Sequence, residues 1–219
     1  MKIVSLAAQK GGVGKTTTAV NLAVAAQLAG IKTILLDLDP QESATAWAER
    51  RTDELPHVEP MSARRLPQAI EAAKAAGFEL MIIDTPPAAG TEAAEAVTLS
   101  DLALIPVRPS LIDLEAIKRT AQLIRATGTP GIVLLNACQP TAKVLPEQAR
   151  EFAEANGLQV AAPILRERID YRGSWQHGQG VVEYVPEEPA AGEIWCLLDF
   201  IIDSLQITKP AKTQTRRSA

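Results

Sequence analysis

Five short runs of apolar residues punctuate the chain, at Ile3–Ala8, Lys32–Asp37, Glu79–Asp84, Asp101–Val107 and Gly131–Asn136. Within each run the apolar positions are nearly continuous instead of alternating with polar ones. That pattern predicts strands buried on both faces, as in parallel sheets covered by helices. Weaker strands are expected over His57–Met61 and Gln159–Leu165. The intervening segments have helical length and periodicity. An Ala-rich run spans Ala19–Ala29, and Arg64–Gly77 places Leu66, Ala69, Ile70, Ala73 and Ala76 inward, with Gly77 set to end it. Ser110–Asp113 resembles a capping box with Asp in place of Glu, ahead of a stripe at Leu114, Ile117, Ala121 and Ile124. Pro146–Asn156 and Glu188–Leu205 complete the helices. Strands alternating with helices predict one α/β domain, a predominantly parallel twisted sheet flanked by helices and joined by right-handed crossovers. A ligand is then expected beyond the carboxyl ends of the strands.

Composition narrows this picture. Only 4% of the 219 residues are aromatic against 47% hydrophobic, so the core must be built mainly from Ala, Val, Ile and Leu. No run approaches the roughly 18 apolar residues of a membrane span, and no basic-then-apolar leader opens the sequence, so a cytoplasmic location is expected. Cys138 and Cys196 lie far apart in apolar runs without C-x-x-C spacing, and both are expected to be buried thiols.

Charge divides the chain unevenly. Residues 209–219 hold Lys209, Lys212, Arg216 and Arg217 and no acid, which leaves 18 basic against 26 acidic side chains elsewhere, a net of −8. The expected organisation is therefore a globular domain over 1–208 and a basic disordered tail over 209–219.

Candidate chemistry begins where the first run meets the first helix, at Lys10-Gly11-Gly12-Val13-Gly14-Lys15-Thr16-Thr17. A strand, a Gly-rich turn and a helix in that order form a phosphate cradle: backbone N–H groups turn inward and the helix dipole adds positive potential. Lys15 is placed to reach β- and γ-phosphates, and the Thr16 hydroxyl to ligate Mg²⁺. The first position of the generic G-x-x-x-x-G-K-[ST] pattern is Gln9 instead of Gly, and Lys10 follows it. Two other runs end in acids, at Asp37-Leu38-Asp39-Pro40-Gln41 and Asp84-Thr85-Pro86-Pro87. Strand alternation allows Asp37 and Asp39 to share a side.

The K-G-G-x-G-K-[ST] segment resembles the deviant Walker A motif of the ParA/MinD family of ATPases. D-x-D-P-Q and the strand-terminal D-x-P-P resemble that family's switch I and switch II. The resemblance is strong from Met1 to about Pro87, moderate to Asn136 and thin beyond. It implies a P-loop NTPase fold, ATP and Mg²⁺ as cofactors, and slow hydrolysis of ATP that a partner stimulates. It further implies nucleotide contacts from Gly11, Gly12, Val13, Gly14, Lys15, Thr16 and Thr17, and catalytic roles for Lys10, Lys15 and Asp39. Asp39 would position the attacking water, Thr16, Asp39 and Asp84 would serve the metal, and Asp37 would support them. Asn136 matches a strand-end Asn that reads adenine, and Val107–Ser110 and Pro163–Arg168 match segments that wall the nucleotide.

Lys10 would cross to the neighbour's phosphates in an ATP-dependent homodimer, with the nucleotides sandwiched between subunits. Because the chain starts at the P-loop strand, it resembles the small ParA branch that segregates plasmid or chromosomal DNA. Its partners would be a ParB-like centromere-binding protein and non-specific DNA, met through Arg166, Arg168, Arg172 and the tail, with nucleoid association in the ATP state. The tail has no apolar face for a membrane. The alternatives are a positioning ATPase for a non-DNA cargo and a P-loop biosynthetic ligase of the dethiobiotin-synthetase kind.

Overall fold

Each of the five apolar runs becomes a strand in the computed structural model, which describes residues 1–87, 90–109, 111–139 and 144–208. The strands are β1 (Lys2–Leu6), β2 (Thr33–Asp37), β3 (His57–Pro60), β4 (Leu80–Asp84), β5 (Leu102–Val107), β6 (Gly131–Leu135) and β7 (Gln159–Val160). They form one seven-stranded sheet in the order β3-β2-β4-β1-β5-β6-β7, and every pairing is parallel. The fold is a single α/β domain.

Burial explains the near-continuous apolar runs. On β1, Val4 and Leu6 face one layer and Ile3 the other; on β4, Leu80 and Ile82 oppose Met81 and Ile83. The first layer is built by α1 (Lys15–Leu28), α2 (Ser43–Ala48), α8 (Val181–Tyr184) and α9 (Pro189–Leu205). The second is built by α3 (Leu66–Ala75) and α4 (Thr91–Thr98) over one half of the sheet and by α5 (Leu111–Thr127) and α6 (Val144–Ala155) over the other. A short helix, α7 (Asp170–Gln176), precedes α8. On α9 the buried Ile194, Leu197, Leu198, Ile201, Ile202 and Leu205 repeat at helical spacing. Each such side chain contributes about 1.5–3 kcal/mol through burial. Every residue of α1 from Thr18 to Ala26 is buried, because sheet and helices surround it.

The expected strand over Gln159–Leu165 shortens to two residues. Ala161 and Leu165 still donate to Val133 and Leu135, but Pro163 has no N–H to give and interrupts the ladder. Of the α5 stripe, Ile117, Ala121 and Ile124 are buried as expected. The Ser110 cap, the side chain of Leu114 and the tail 209–219 lie outside the described residues, as does the side chain of Asp113. Cys138 is buried, whereas Cys196 is exposed, a departure from the expectation that both are internal.

Four helices had no forecast in the periodicity: α2, α4, α7 and α8. Three of them are seven residues or shorter, and distant groups hold them. Asp37 Oδ2 accepts from both the Thr45 N–H (2.9 Å) and the Thr45 hydroxyl (3.1 Å), which caps α2 from the end of β2. The turn between α7 and α8 is held from three elements. Trp47 Nε1 donates to Gln179 O (3.3 Å), Arg51 Nη1 to Gly178 O (2.8 Å), and the Val181 N–H to buried Asn21 Oδ1 (2.8 Å). Gly178 has φ +63°, and a Cβ there would sit 2.5 Å from the Arg50 carbonyl carbon. Only glycine fits that turn.

Candidate nucleotide site

Strand order reverses around β1, so the loop leaving its carboxyl end opens at the crevice where open α/β sheets bind ligands. Gly12 and Gly14 take φ +73° and +91°, in the left-handed region that lets the backbone wrap inward. Gly11 and Gly12 are exposed, Val13 and Lys15 buried, and Gly14, Thr16 and Thr17 half-buried; part-exposed Lys10 stands at the entrance of the loop. Lys15 opens α1, so its ammonium shares the helix's positive end.

The acids meet this loop through strand register. Asp84 is the partner of Leu6 on one side and of Asp37 on the other, which brings the ends of β1, β4 and β2 together. Burial lowers the Lys15 pKa from its ordinary value, and the nearby charges of Asp84 and Asp39 draw it partly back. Asp84 is fully buried, and burial pushes its carboxyl up to about 7; the Thr16 hydroxyl counters this and Asp37 adds to it. Neither Asp84 oxygen has a well-formed hydrogen bond. A buried carboxylate whose one polar neighbour of note is the Thr16 hydroxyl fits the outer sphere of a hydrated cation.

Asp37 and Asp39 divide the work of the neighbouring loop. Asp37 is buried and spent on Thr45 and on the Asp39 N–H (3.2 Å). Asp39 remains half-exposed; its Oδ1 accepts only the Gln41 N–H (3.0 Å) among the described contacts. Pro87 lies beside Gly11, so the D-x-P-P segment abuts the loop.

A cavity of about 320 Å³ extends from Gly14 and Thr17 past Asn136 to Arg108, Tyr171 and Trp175. Its volume is that of a small-ligand pocket. The two expected wall segments contribute Arg108 and Arg166–Arg168, and Asn136 borders it. Trp175 was not anticipated. Its only sequence signal is the four-residue spacing from Tyr171, which puts both on one face of α7. A larger groove of about 740 Å³ lies between β3 and α3, but no residue of the glycine loop lines it, whereas Gly14 and Thr17 line the smaller cavity.

The three expected DNA contacts differ. Arg166, Arg168 and Arg172 all line the cavity, and Arg168 is also bound to Glu193 through Nε (3.1 Å) and Nη2 (2.6 Å).

A glycine-rich loop cradling the start of a helix, above acids from two adjacent parallel strands, defines a nucleotide-binding protein of the P-loop class. Comparison with known proteins identifies the branch. Residues 4–181 match the CobQ/CobB/MinD/ParA nucleotide binding domain, and the chain belongs to that family of ParA/MinD ATPases. Maintenance of carboxysome distribution protein A from Gloeobacter kilaueensis is 34% identical over 168 residues, covering 75% of this chain and 76% of that protein. The chromosome-partitioning ATPase Soj of Thermus thermophilus is 27% identical over 86% of this chain and 90% of its own. The septum site-determining protein MinD from Pyrococcus horikoshii, solved with Mg-ADP, has a TM-score of 0.76 at 20% identity. That match covers 95% of this chain and 98% of that one, and it speaks for the fold. No helix among the described residues is long and apolar enough to cross a membrane.

Proposed function

We propose that the chain is an ATP-driven switch that dimerises around its nucleotide and segregates DNA. The observation that carries this reading is the convergence of Lys15, Asp84 and half-exposed Asp39 beneath the glycine loop. Residues Gly11–Thr17 bind the phosphates with backbone N–H groups and Lys15. Thr16 and Asp84 hold Mg²⁺, with Asp39 nearby, and the ion supplies charge neutralisation for the transferring phosphoryl group. Asp39, with an oxygen to spare, orients the water that attacks. Hydrolysis is slow on its own, since the chain's own residues supply positioning and charge alone.

Lys10 reaches the partner subunit's phosphates, and the homodimer lasts as long as the γ-phosphate does. The dimer gathers non-specific DNA through Arg166, Arg168, Arg172 and the basic tail, and a ParB-like protein stimulates hydrolysis, so the protein is cytoplasmic and associated with the nucleoid in its ATP state. A second reading, positioning of a non-DNA cargo, is favoured by the 34% identity to a protein named for carboxysome distribution.

Sedimentation with ATP, with ADP and without nucleotide tests the switch. Dimer with ATP only is the expected result, and Lys10→Ala keeps ATP binding while losing the dimer. Asp39→Ala accumulates an ATP-bound dimer that does not turn over. A chain that stays monomeric with ATP, or an Asp39→Ala protein that hydrolyses at the parental rate, would refute the corresponding role. DNA retention by the ATP state, set against its absence, separates segregation from a scaffold that does not use DNA.

A further inference from the structure

Asn136 has two contacts that a base-reading residue does not require. Its Nδ2 donates to the Val13 carbonyl at 2.6 Å, across 123 positions of sequence, and its Oδ1 accepts the Ala137 N–H at 2.9 Å. The orientation is fixed by chemistry, because the carbonyl can only accept and the backbone N–H can only donate. Asn136 is 8% exposed, and its own N–H is bound to Val107 O at 2.8 Å. Ala137 has φ +49°, which is unfavourable for a residue with a Cβ, and its N–H in that conformation meets the amide oxygen. On the other side, a Cβ at Gly14 would overlap the Asn136 amide nitrogen.

A phosphate loop works only if its N–H groups point inward, so its carbonyls must find partners outside the cradle. The Gly14 carbonyl has the Thr18 N–H of the helix. The Val13 carbonyl has Asn136. We infer that Asn136 is a positioning residue for the phosphate loop: it sets the peptide between Val13 and Gly14, and its contribution to nucleotide affinity passes through the phosphates, not the base. This rests on the nucleotide-switch reading above and changes the part Asn136 has in it.

The test measures the affinity of wild type, Asn136→Ala and Asn136→Ser for ATP, GTP and inorganic tripolyphosphate, each with Mg²⁺. Asn136→Ser is the milder variant, with a hydroxyl too short to reach Val13; thermal unfolding checks that each variant folds. Loss of a buried hydrogen bond predicts about tenfold weaker binding of all three ligands. The ratio of ATP to GTP affinity stays at its wild-type value. A collapse of that ratio with tripolyphosphate binding unchanged would make Asn136 a base reader and overturn the inference. So would unaltered binding of all three ligands. Wild-type protein that binds neither ATP nor tripolyphosphate would instead remove the switch reading, and this inference with it.

Discussion

Asp84→Asn raises the stability of the nucleotide-free protein at pH 8 and abolishes ATP turnover. The carboxyl is fully buried, and neither oxygen has a well-formed partner. In the folded chain it keeps its proton up to about pH 7, whereas an unfolded Asp has lost it above about pH 4. Between those values the folded state binds more protons than the unfolded one. Wild-type stability therefore falls as pH rises through the window, by up to about 4 kcal/mol once the window is crossed. The unpaired amide of the variant costs about 1–3 kcal/mol, so a net gain of about 1–3 kcal/mol remains at pH 8. The advantage shrinks toward pH 5, where most of the wild-type penalty is gone. Chemical denaturation of both proteins at pH 5 and pH 8 measures it. If Asp84→Asn is the less stable protein at pH 8 by the same margin as at pH 5, the carboxylate has a partner in the folded chain and the argument fails. If Asp84 serves Mg²⁺ as proposed, turnover is lost with its charge, and ATP with Mg²⁺ protects the variant against melting less than it protects wild type.

The same carboxylate shows where the sequence is legible. A strand ending in acid, together with a glycine loop and a second acidic strand end, is a local pattern. Parallel pairing then brings the three together because each strand end lies at the same edge of the sheet. The strands were legible for a related reason: both faces of β1, β2 and β4 are buried, so their apolar runs are nearly continuous. Contacts set by remote partners were not legible. Nothing local marks Asp37 as the cap of α2, or Asn136 as the partner of Val13. Asn136 in particular has the residue type and position of a base contact, and only its hydrogen bonds reveal what else holds it. Gly178 reads as an ordinary turn glycine until the Arg50–Arg51 backbone is placed against it.

Arg51→Ala destabilises the protein by about 3–5 kcal/mol, the cost of breaking a buried ion pair from one side. Arg51 lies three residues beyond α2, is 4% exposed at its side chain, and is bonded to Glu183 through Nη1 (3.0 Å) and Nη2 (2.9 Å). The same guanidinium donates to Gly178 O and, at 2.6 Å, to Leu55 O, and lies 4.8 Å from the Trp47 ring. Removing it leaves two carbonyls unpaired and a carboxylate only 17% exposed without its cation. Glu183 also accepts the Gly180 N–H at 2.9 Å, so the turn that starts α8 loosens with it. For a chain of this length the loss corresponds to a melting shift on the order of 10 °C. Arg51→Ala combined with Glu183→Ala is expected to cost less than the sum of the single changes, since no buried charge is then stranded. A single variant within about 0.5 kcal/mol of wild type would show that the pair is held but not needed. The placement gives the clamp a consequence beyond stability. α2 follows directly on the Asp39 loop, while the turn at Gly178 follows α7, which carries Tyr171 and Trp175 into the cavity. One guanidinium therefore ties the segment that follows the Asp39 loop to the pocket wall. Arg51→Ala should weaken ATP binding in protein that is still folded, and nucleotide titration well below the melting temperature reads that effect apart from unfolding.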